Sequence, residues 1–275
     1  MKKRERVIGI LGGLGPEATN KLCSEITALT PAKKDQEHLR VITFNNPKVP
    51  DRTKAILGQD KSPVRELQRT ARALQNAGAD FILLPCNTSH YYLRSIQRGV
   101  DIPIINMVEE TVKHIVKNHP EVTSVGILAT TGTMYTGLYE KALEKYGLSA
   151  VTPSDEEQEG LIMESIYGEK GLKAGFHDYP YLLLENAAQK LLERGAQVVI
   201  AGCTEIGIVL NKPPFIIIDS SRILAEVAVE RASIRRTTTE NFLFEVIVEP
   251  YLFIKRTAIE PFYYIKDKTL DLLEA

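Results

Sequence analysis

The chain has 275 residues, 34 basic against 35 acidic side chains, a formal net charge of −1 and only three cysteines. A near-neutral balance carries no counterion-release signature, which argues against nucleic acid as a partner. The longest apolar runs, Phe81–Leu84 and Phe215–Ile218, fall far short of a membrane span, and Val7–Ile10 runs at once into Leu11-Gly12-Gly13 instead of continuing as a signal-peptide core. A cytoplasmic protein without membrane contact is expected. Three cysteines cannot close a disulfide framework and no Cys/His pattern has zinc spacing, so any cysteine chemistry rests on free thiols.

In chain order, β-prone apolar runs fall at Val7–Leu11, Val41–Asn45, Phe81–Pro85, Ile102–Ile105, Val125–Ala129, Val198–Ala201 and Phe215–Ile218. Longer charged stretches separate them, the pattern of parallel strands wrapped by helices. One such stretch, Pro63–Asn76, puts Val64, Leu67, Ala71 and Leu74 on a single face, as a covering helix should. The fold class is α/β.

A repeat organises these runs. Gly9-Ile10-Leu11 precedes Gly126-Ile127-Leu128 by 117 residues, and Leu74 through Cys86 precedes Leu191 through Cys203 by the same 117. Ile102–Asn106 and Phe215–Asp219 echo each other at an offset of 113. The spacing predicts two pseudo-symmetric domains, each a mainly parallel sheet flanked by helices, with a cysteine at the carboxyl end of an equivalent buried strand. That edge is where open α/β sheets bind ligands. The first domain is expected over 1–105 plus about 215–231, and the second over 106–214. Residues 232–275 break the pattern: they hold none of the 18 glycines but seven of the 19 Phe and Tyr, and they read as an appended β-prone segment. Its aromatics, Tyr251, Phe253, Phe262 and Tyr264, call for cover, by the body or by a second subunit, and a homodimer is expected.

A cysteine after a buried strand usually serves as a small core hydrophobe. Duplication changes the balance for Cys86 and Cys203, each followed by small polar residues, Asn87-Thr88-Ser89 and Thr204-Glu205, that suit a helix start. A helix N-terminus lowers a thiol's pKa and holds carboxylates. Cys23, within a helical stretch, reads as packing. Two thiols facing one cleft suit proton transfer between opposite faces of a carbon, one as base and one as acid. A near-attack contact is about 3–3.5 Å, which would put the sulfurs roughly 7 Å apart.

The loop Gly12–Thr19 has a weak dinucleotide-like look in Gly13-x-Gly15-x-x-Ala18, but Val41–Asn45 ends on Asn45-Asn46 where a ribose-binding acid would stand. Backbone amides near Gly13 are instead expected to approach a small anionic substrate. In the second half, Thr130-Thr131-Gly132-Thr133 offers hydroxyls to a carboxylate, Thr131 foremost, alongside Thr204.

These segments resemble the PLP-independent aspartate/glutamate racemases over residues 7 to about 230. The likeness rests on Gly9-Ile-Leu-Gly-Gly-Leu-Gly-Pro16, Asn45-Asn46-Pro47 with Pro50-Asp51-Arg52-Thr53, Pro85-Cys-Asn-Thr-Ser89, Ala129-Thr-Thr-Gly-Thr133 and Gly202-Cys-Thr-Glu205. The aspartate branch is the nearer one, because Glu205 stands where glutamate racemases carry His. The resemblance implies an isomerase that interconverts L- and D-aspartate without cofactor or metal, with the active site in the interdomain cleft. It assigns Cys86 and Cys203 as the acid/base pair, serving the D- and L-enantiomer respectively. It places Asn87, Thr88 and Ser89 on the substrate's α-carboxylate, and Arg52 and Lys173 near its carboxylates. The Tyr167-to-Lys173 spacing is two residues longer than usual, leaving Lys170 as an alternative. Glu205 either tunes Cys203 or stabilises a helix start. The substrate implied is a dicarboxylic amino acid. Alternatives are a glutamate or broad-specificity racemase, a nucleotide-dependent oxidoreductase, and a non-catalytic amino-acid-binding protein.

Overall fold

A computed structural model describes residues 5–211 and 213–233; the appended segment expected after residue 231 lies, from 234 on, outside the described residues. In chain order the elements are β1 (Ile8–Gly12), α1 (Pro16–Leu29), β2 (Val41–Asn45), α2 (Arg52–Ile56), α3 (Val64–Asn76), β3 (Phe81–Leu83), a 3₁₀ segment (Thr88–Tyr92) and α4 (Leu93–Gln97). They continue with α5 (Met107–Asn118), β4 (Ser124–Leu128), α6 (Thr131–Thr136), α7 (Leu138–Glu144), β5 (Ser149–Val151) and α8 (Asp155–Glu157). A π-helical segment (Gln158–Met163), α9 (Glu164–Tyr167), α10 (Asp178–Glu193), β6 (Val198–Ala201), α11 (Ile206–Val209), β7 (Ile217–Asp219) and α12 (Ser220–Ser233) follow.

All strand pairs are parallel, in two sheets of order β2-β1-β3 and β5-β4-β6-β7. Helices cover them, so β1, β3 and β6 are buried throughout, as parallel strands should be. On the predicted face of α3, Leu67, Ala71 and Leu74 are buried against the first sheet.

The repeat is visible in the packing. A Cβ on Gly9 would meet Ala79 and Leu74, and one on Gly126 would meet Ala196 and Leu191, the partners 117 residues on. Gly78 and Gly195 both end a covering helix at positive φ, 97° and 93°, a conformation that favours glycine. Each half thus turns from helix into buried strand at the same place and delivers a cysteine beyond that strand.

Two expectations are corrected. Ile102–Ile105 forms no strand of its own, only a single bridge between Ile82 and Ile104, because Pro103 has no N–H to extend a ladder. Strand β7 does not return to the first sheet: Val199, Ile200 and Ala201 of β6 pair with Ile217, Ile218 and Asp219. It is the counterpart of Ile104 beside β3, consistent with the 113-residue echo. Only the helix after it crosses over, since Leu224, Ala225, Ala228 and Ala232 of α12 pack with Ile8, Ile10, Leu22 and Ile26. In the reverse sense, Val112 and Ile115 of α5 pack under β4 and β6. Each sheet is covered in part by a helix whose preceding strand or bridge lies at the other, and this exchange fixes the edges that carry the cysteines.

Candidate active site

Two residues beyond Leu84 and two beyond Ala201, Cys86 and Cys203 lie at the carboxyl ends of equivalent strands, 9% and 7% exposed. Both line one narrow cleft of about 290 Å³, counting its open mouth, together with Leu14, Arg52, Asn87, Thr88, Thr130, Tyr167, Lys173, Thr204 and Glu205. Both sheets contribute walls.

The electrostatic settings of the two sulfurs are opposite. Beside Cys86 stands Arg52, whose side chain is buried yet donates to the carbonyls of Leu14 (2.6 Å), Pro50 (3.1 Å) and Val49 (3.4 Å), while Nε has no partner. Burial opposes its charge, but Cys86, Asp51 and Tyr167 outweigh burial and hold it above its ordinary pKa. The site therefore contains a fixed cation that keeps N–H donors, Nε among them, beyond those spent on carbonyls. Beside Cys203 stands an anion: Sγ donates to Glu205 Oε2 at 3.1 Å, as does Thr204 Oγ1 at 3.0 Å, and Lys173 Nζ donates to Oε1 at 2.6 Å. Burial alone would raise the Glu205 carboxyl, but Lys173 and these donors prevail and hold it below the usual range. The Cys203 thiol goes the other way, pushed well up by burial first and by the Glu205 charge second. The sequence argument that a helix N-terminus lowers this thiol's pKa therefore fails here. Only one turn of helix, α11, follows Cys203, too little to offset burial beside a carboxylate.

Several candidates are placed differently from their sequence reading. Gly13 offers no amide to a ligand: its N–H donates to Thr19 Oγ1 at 3.0 Å, and its φ of 89° and close approach to the Asn46 backbone make it a packing glycine. Ser89 is fully buried behind the cleft wall, its hydroxyl unpartnered. Thr131 turns away, bonding Glu159 at 3.0 Å in a separate open groove. Its neighbours take its place: Thr88, Thr130 and Thr133 form a closed ring of hydroxyls at 2.9, 2.9 and 3.2 Å. Thr130 caps α6 and Thr133 lies one turn on, a spacing that shares a face, whereas Thr131 points elsewhere. That spacing was the signal available in the sequence. Of the two lysines, Lys173 reaches the cleft and Lys170 is exposed outside it.

Residues not singled out from the sequence complete the walls. The Tyr167 hydroxyl donates to Asp51 at 3.3 Å across the two halves, and Lys173 Nζ lies 5.4 Å from its ring centre. Behind Cys86, Tyr139 and Ser220 hold Asn87. Among the described residues, no helix is long and apolar enough to cross a membrane, and no cluster of three His, Cys, Asp or Glu could hold a metal ion.

The family model described as Asp/Glu/Hydantoin racemase matches residues 11–228, spanning both cysteine corners. The chain belongs to this racemase family. It is 29% identical over 231 residues to the broad specificity amino-acid racemase RacX of Bacillus subtilis (strain 168), covering 81% of this chain and 96% of that one. A glutamate racemase of Persephonella marina is 27% identical over 168 residues, 59% of this chain and 62% of the other. Among solved structures, the Picrophilus torridus aspartate racemase superposes with a TM-score of 0.71 at 26% identity, covering 88% of this chain and all of that one. The fold of this racemase-family isomerase is thus the parallel α/β architecture of its relatives.

Proposed function

We infer that the chain is an amino-acid racemase acting on aspartate by a two-thiol proton transfer. One observation carries this reading: two cysteines at repeat-equivalent strand ends line one cleft, with a cation beside one sulfur and an anion beside the other. A thiolate on one face takes the α-proton and becomes a thiol. The C–H electron pair passes into the substrate's α-carboxylate as an enediolate, and the thiol on the other face gives its proton to the same carbon and becomes the thiolate. Cys203, held protonated beside Glu205, is the acid when Cys86 acts as the base, and the roles exchange in the reverse reaction.

Removing a proton from an amino-acid α-carbon needs donors placed where charge develops. Asn87, Thr88 and Thr130 supply them. Each threonine hydroxyl has one hydrogen, and the closed ring uses all three, so a bound carboxylate draws one of them out of the ring. The unused Arg52 Nε–H and the Lys173 ammonium suit the second carboxylate of a dicarboxylic amino acid.

The likeness to RacX favours a second reading, in which the side-chain pocket accepts several amino acids. Incubation with L- and D-aspartate, glutamate and neutral amino acids in D₂O without added cofactor, followed by chiral analysis, decides between them. Racemisation with deuterium at the α-carbon of aspartate alone supports the first reading. Equal turnover of neutral amino acids supports the second, and binding of aspartate without α-deuteration in either enantiomer refutes both.

A further inference from the structure

Tyr139 belongs to α7, is fully buried among aliphatic side chains and does not itself line the cleft. Nevertheless it contacts the residue next to each cysteine. Its hydroxyl donates to Asn87 Oδ1 at 2.6 Å, and its ring edge lies against Gly202, where an added Cβ would fall 3.0 Å from Cε2. Asn87 Nδ2 in turn donates to Ser220 Oγ at 3.1 Å, and Ser220 donates to the Ala201 carbonyl at 2.8 Å, on the strand that leads to Cys203. A continuous chain of donors therefore runs from α7 through the first cysteine corner to the second.

The direction of these bonds matters. An asparagine carboxamide is an acceptor at one end and a double donor at the other, and the two ends are nearly isosteric. A phenol can donate or accept, so the orientation is set from the other end: Ser220 spends its one hydrogen on the Ala201 carbonyl, its Oγ can only accept from Asn87 Nδ2, and Oδ1 is left facing the phenol. The phenol's single hydrogen occupies the acceptor end, leaving Nδ2 with one hydrogen for Ser220 and a second that has no acceptor among the described residues. Burial pushes the Tyr139 phenol above its ordinary pKa, so it stays a neutral donor.

We propose that Tyr139 is a positioning residue that, with Ser220, holds the Asn87 carboxamide in one polarity, so that the cleft presents a donor and selects a carboxylate. Without the phenol hydroxyl the buried Oδ1 loses its donor, and Ser220, which can itself rotate to donate, no longer holds the amide against turning an acceptor oxygen on the ligand. The proposal rests on the reading of this cleft as a carboxylate-binding racemase site, and its test is built to separate the two.

The test compares wild type and Tyr139→Phe, which keeps the ring against Gly202 and removes only the hydroxyl. Calorimetric Kd for L-aspartate, steady-state KM and kcat, and the thermal midpoint are measured for each. Kd and KM should rise together by roughly ten- to a hundredfold, the range for a hydrogen bond to a charged group, while kcat falls by less than about threefold. A folded Tyr139→Phe protein with wild-type Kd, or one that loses kcat alone, overturns the proposal. Should Tyr139→Phe fail to fold, Asn87→Asp serves: it keeps an oxygen for Tyr139 but replaces the amide donor with an anionic oxygen. Loss of aspartate binding there supports the assignment and retained affinity refutes it. A wild-type protein that binds aspartate without exchanging its α-proton sinks the racemase reading, and the Kd comparison still decides the role of Tyr139. Absence of any aspartate binding sinks both.

Discussion

The Lys173 ammonium lies 2.6 Å from one oxygen of Glu205, and the other oxygen accepts from the Cys203 sulfur at 3.1 Å. One carboxylate therefore stands between a cation and the Cys203 thiol, and the side chain of Glu205 is only 6% exposed against 29% for Lys173. Glu205→Gln removes the charge but keeps the shape. The Cys203 thiol then loses the anion that helps push its pKa up while Lys173 remains, so its alkylation by iodoacetamide should begin at lower pH than in wild type. Racemisation should fall by at least about tenfold, because the acid partner loses its proton too readily. Mass spectrometry of the Cys203 peptide against pH reads the first effect, and an unchanged alkylation profile would remove Glu205 from the control of this thiol.

A Cβ on Gly15 would collide with the same Glu205 oxygen. Gly15 has an extended backbone, φ −173°, which any residue adopts, so only this contact is at stake. The atom struck is Oε1, the far end of a flexible side chain, and it can yield at the expense of its bond to Lys173, shifting the carboxylate whose Oε2 accepts from Cys203. Gly15→Ala should therefore unfold within about 1 kcal/mol of wild type, below the usual overpacking cost, yet lose racemisation as Glu205→Gln does. A large drop in denaturation midpoint with normal kcat would reverse this assignment.

Cys86→Ala and Cys203→Ala should each lower racemisation by roughly 10²- to 10⁴-fold. The enantiomers are equal in energy, so kcat/KM must fall equally in both directions for either variant. Deuterium exchange without inversion has no such constraint. A lone Cys86 should still exchange the α-proton of D-aspartate and a lone Cys203 that of L-aspartate. NMR of each enantiomer in D₂O tests this, and the opposite pairing would exchange the faces assigned to the two sulfurs.

Much of this site was legible in the sequence because the duplication repeats backbone requirements. The 117-residue offset joins Gly9 to Gly126, Gly78 to Gly195 and Cys86 to Cys203, and all three pairs are structural equivalents. What the sequence hid depends on which way a side chain turns or where a chain returns. Arg52 reads as a carboxylate-binding cation, but the sequence does not show that it is buried and bonded to three carbonyls, so Arg52→Ala would disturb the fold as well as the kinetics. Thr131 and Thr130 are adjacent, and only the phase of α6 sends one into the cleft and the other away. Tyr139 and Ser220 are distant in sequence from Asn87 and meet it only because α7 and α12 pack across the two sheets.

His90 gives the last prediction. Its Nε2 accepts from Met107 N–H at 3.0 Å, which leaves the hydrogen on Nδ1 to donate to the Cys86 carbonyl at 2.9 Å. The neutral ring thus ties the first cysteine corner to the start of α5. Burial holds its pKa below the ordinary 6.5, against the raising effect of its backbone bonds. Because the unfolded chain takes up this proton more readily than the folded one, the contribution of His90 to stability is fully present above pH 6.5. It is lost as pH falls from there through the depressed folded value. Carboxylates such as Glu205, held below 4.5, begin to cost stability only at lower pH, whereas Glu25 and Glu140, raised by burial, favour the folded state as pH falls and so oppose the histidines in this interval. His114, also held low by partial burial, acts in the same interval. The difference between wild type and His90→Gln isolates His90. Calorimetric midpoints should fall by a few degrees for wild type between pH 7 and pH 5, the scale expected from roughly 1 kcal/mol in a protein of this size, and by less for the variant. Parallel curves would mean that His90 titrates alike in the folded and unfolded chain and does not restrain the Cys86 corner by staying neutral.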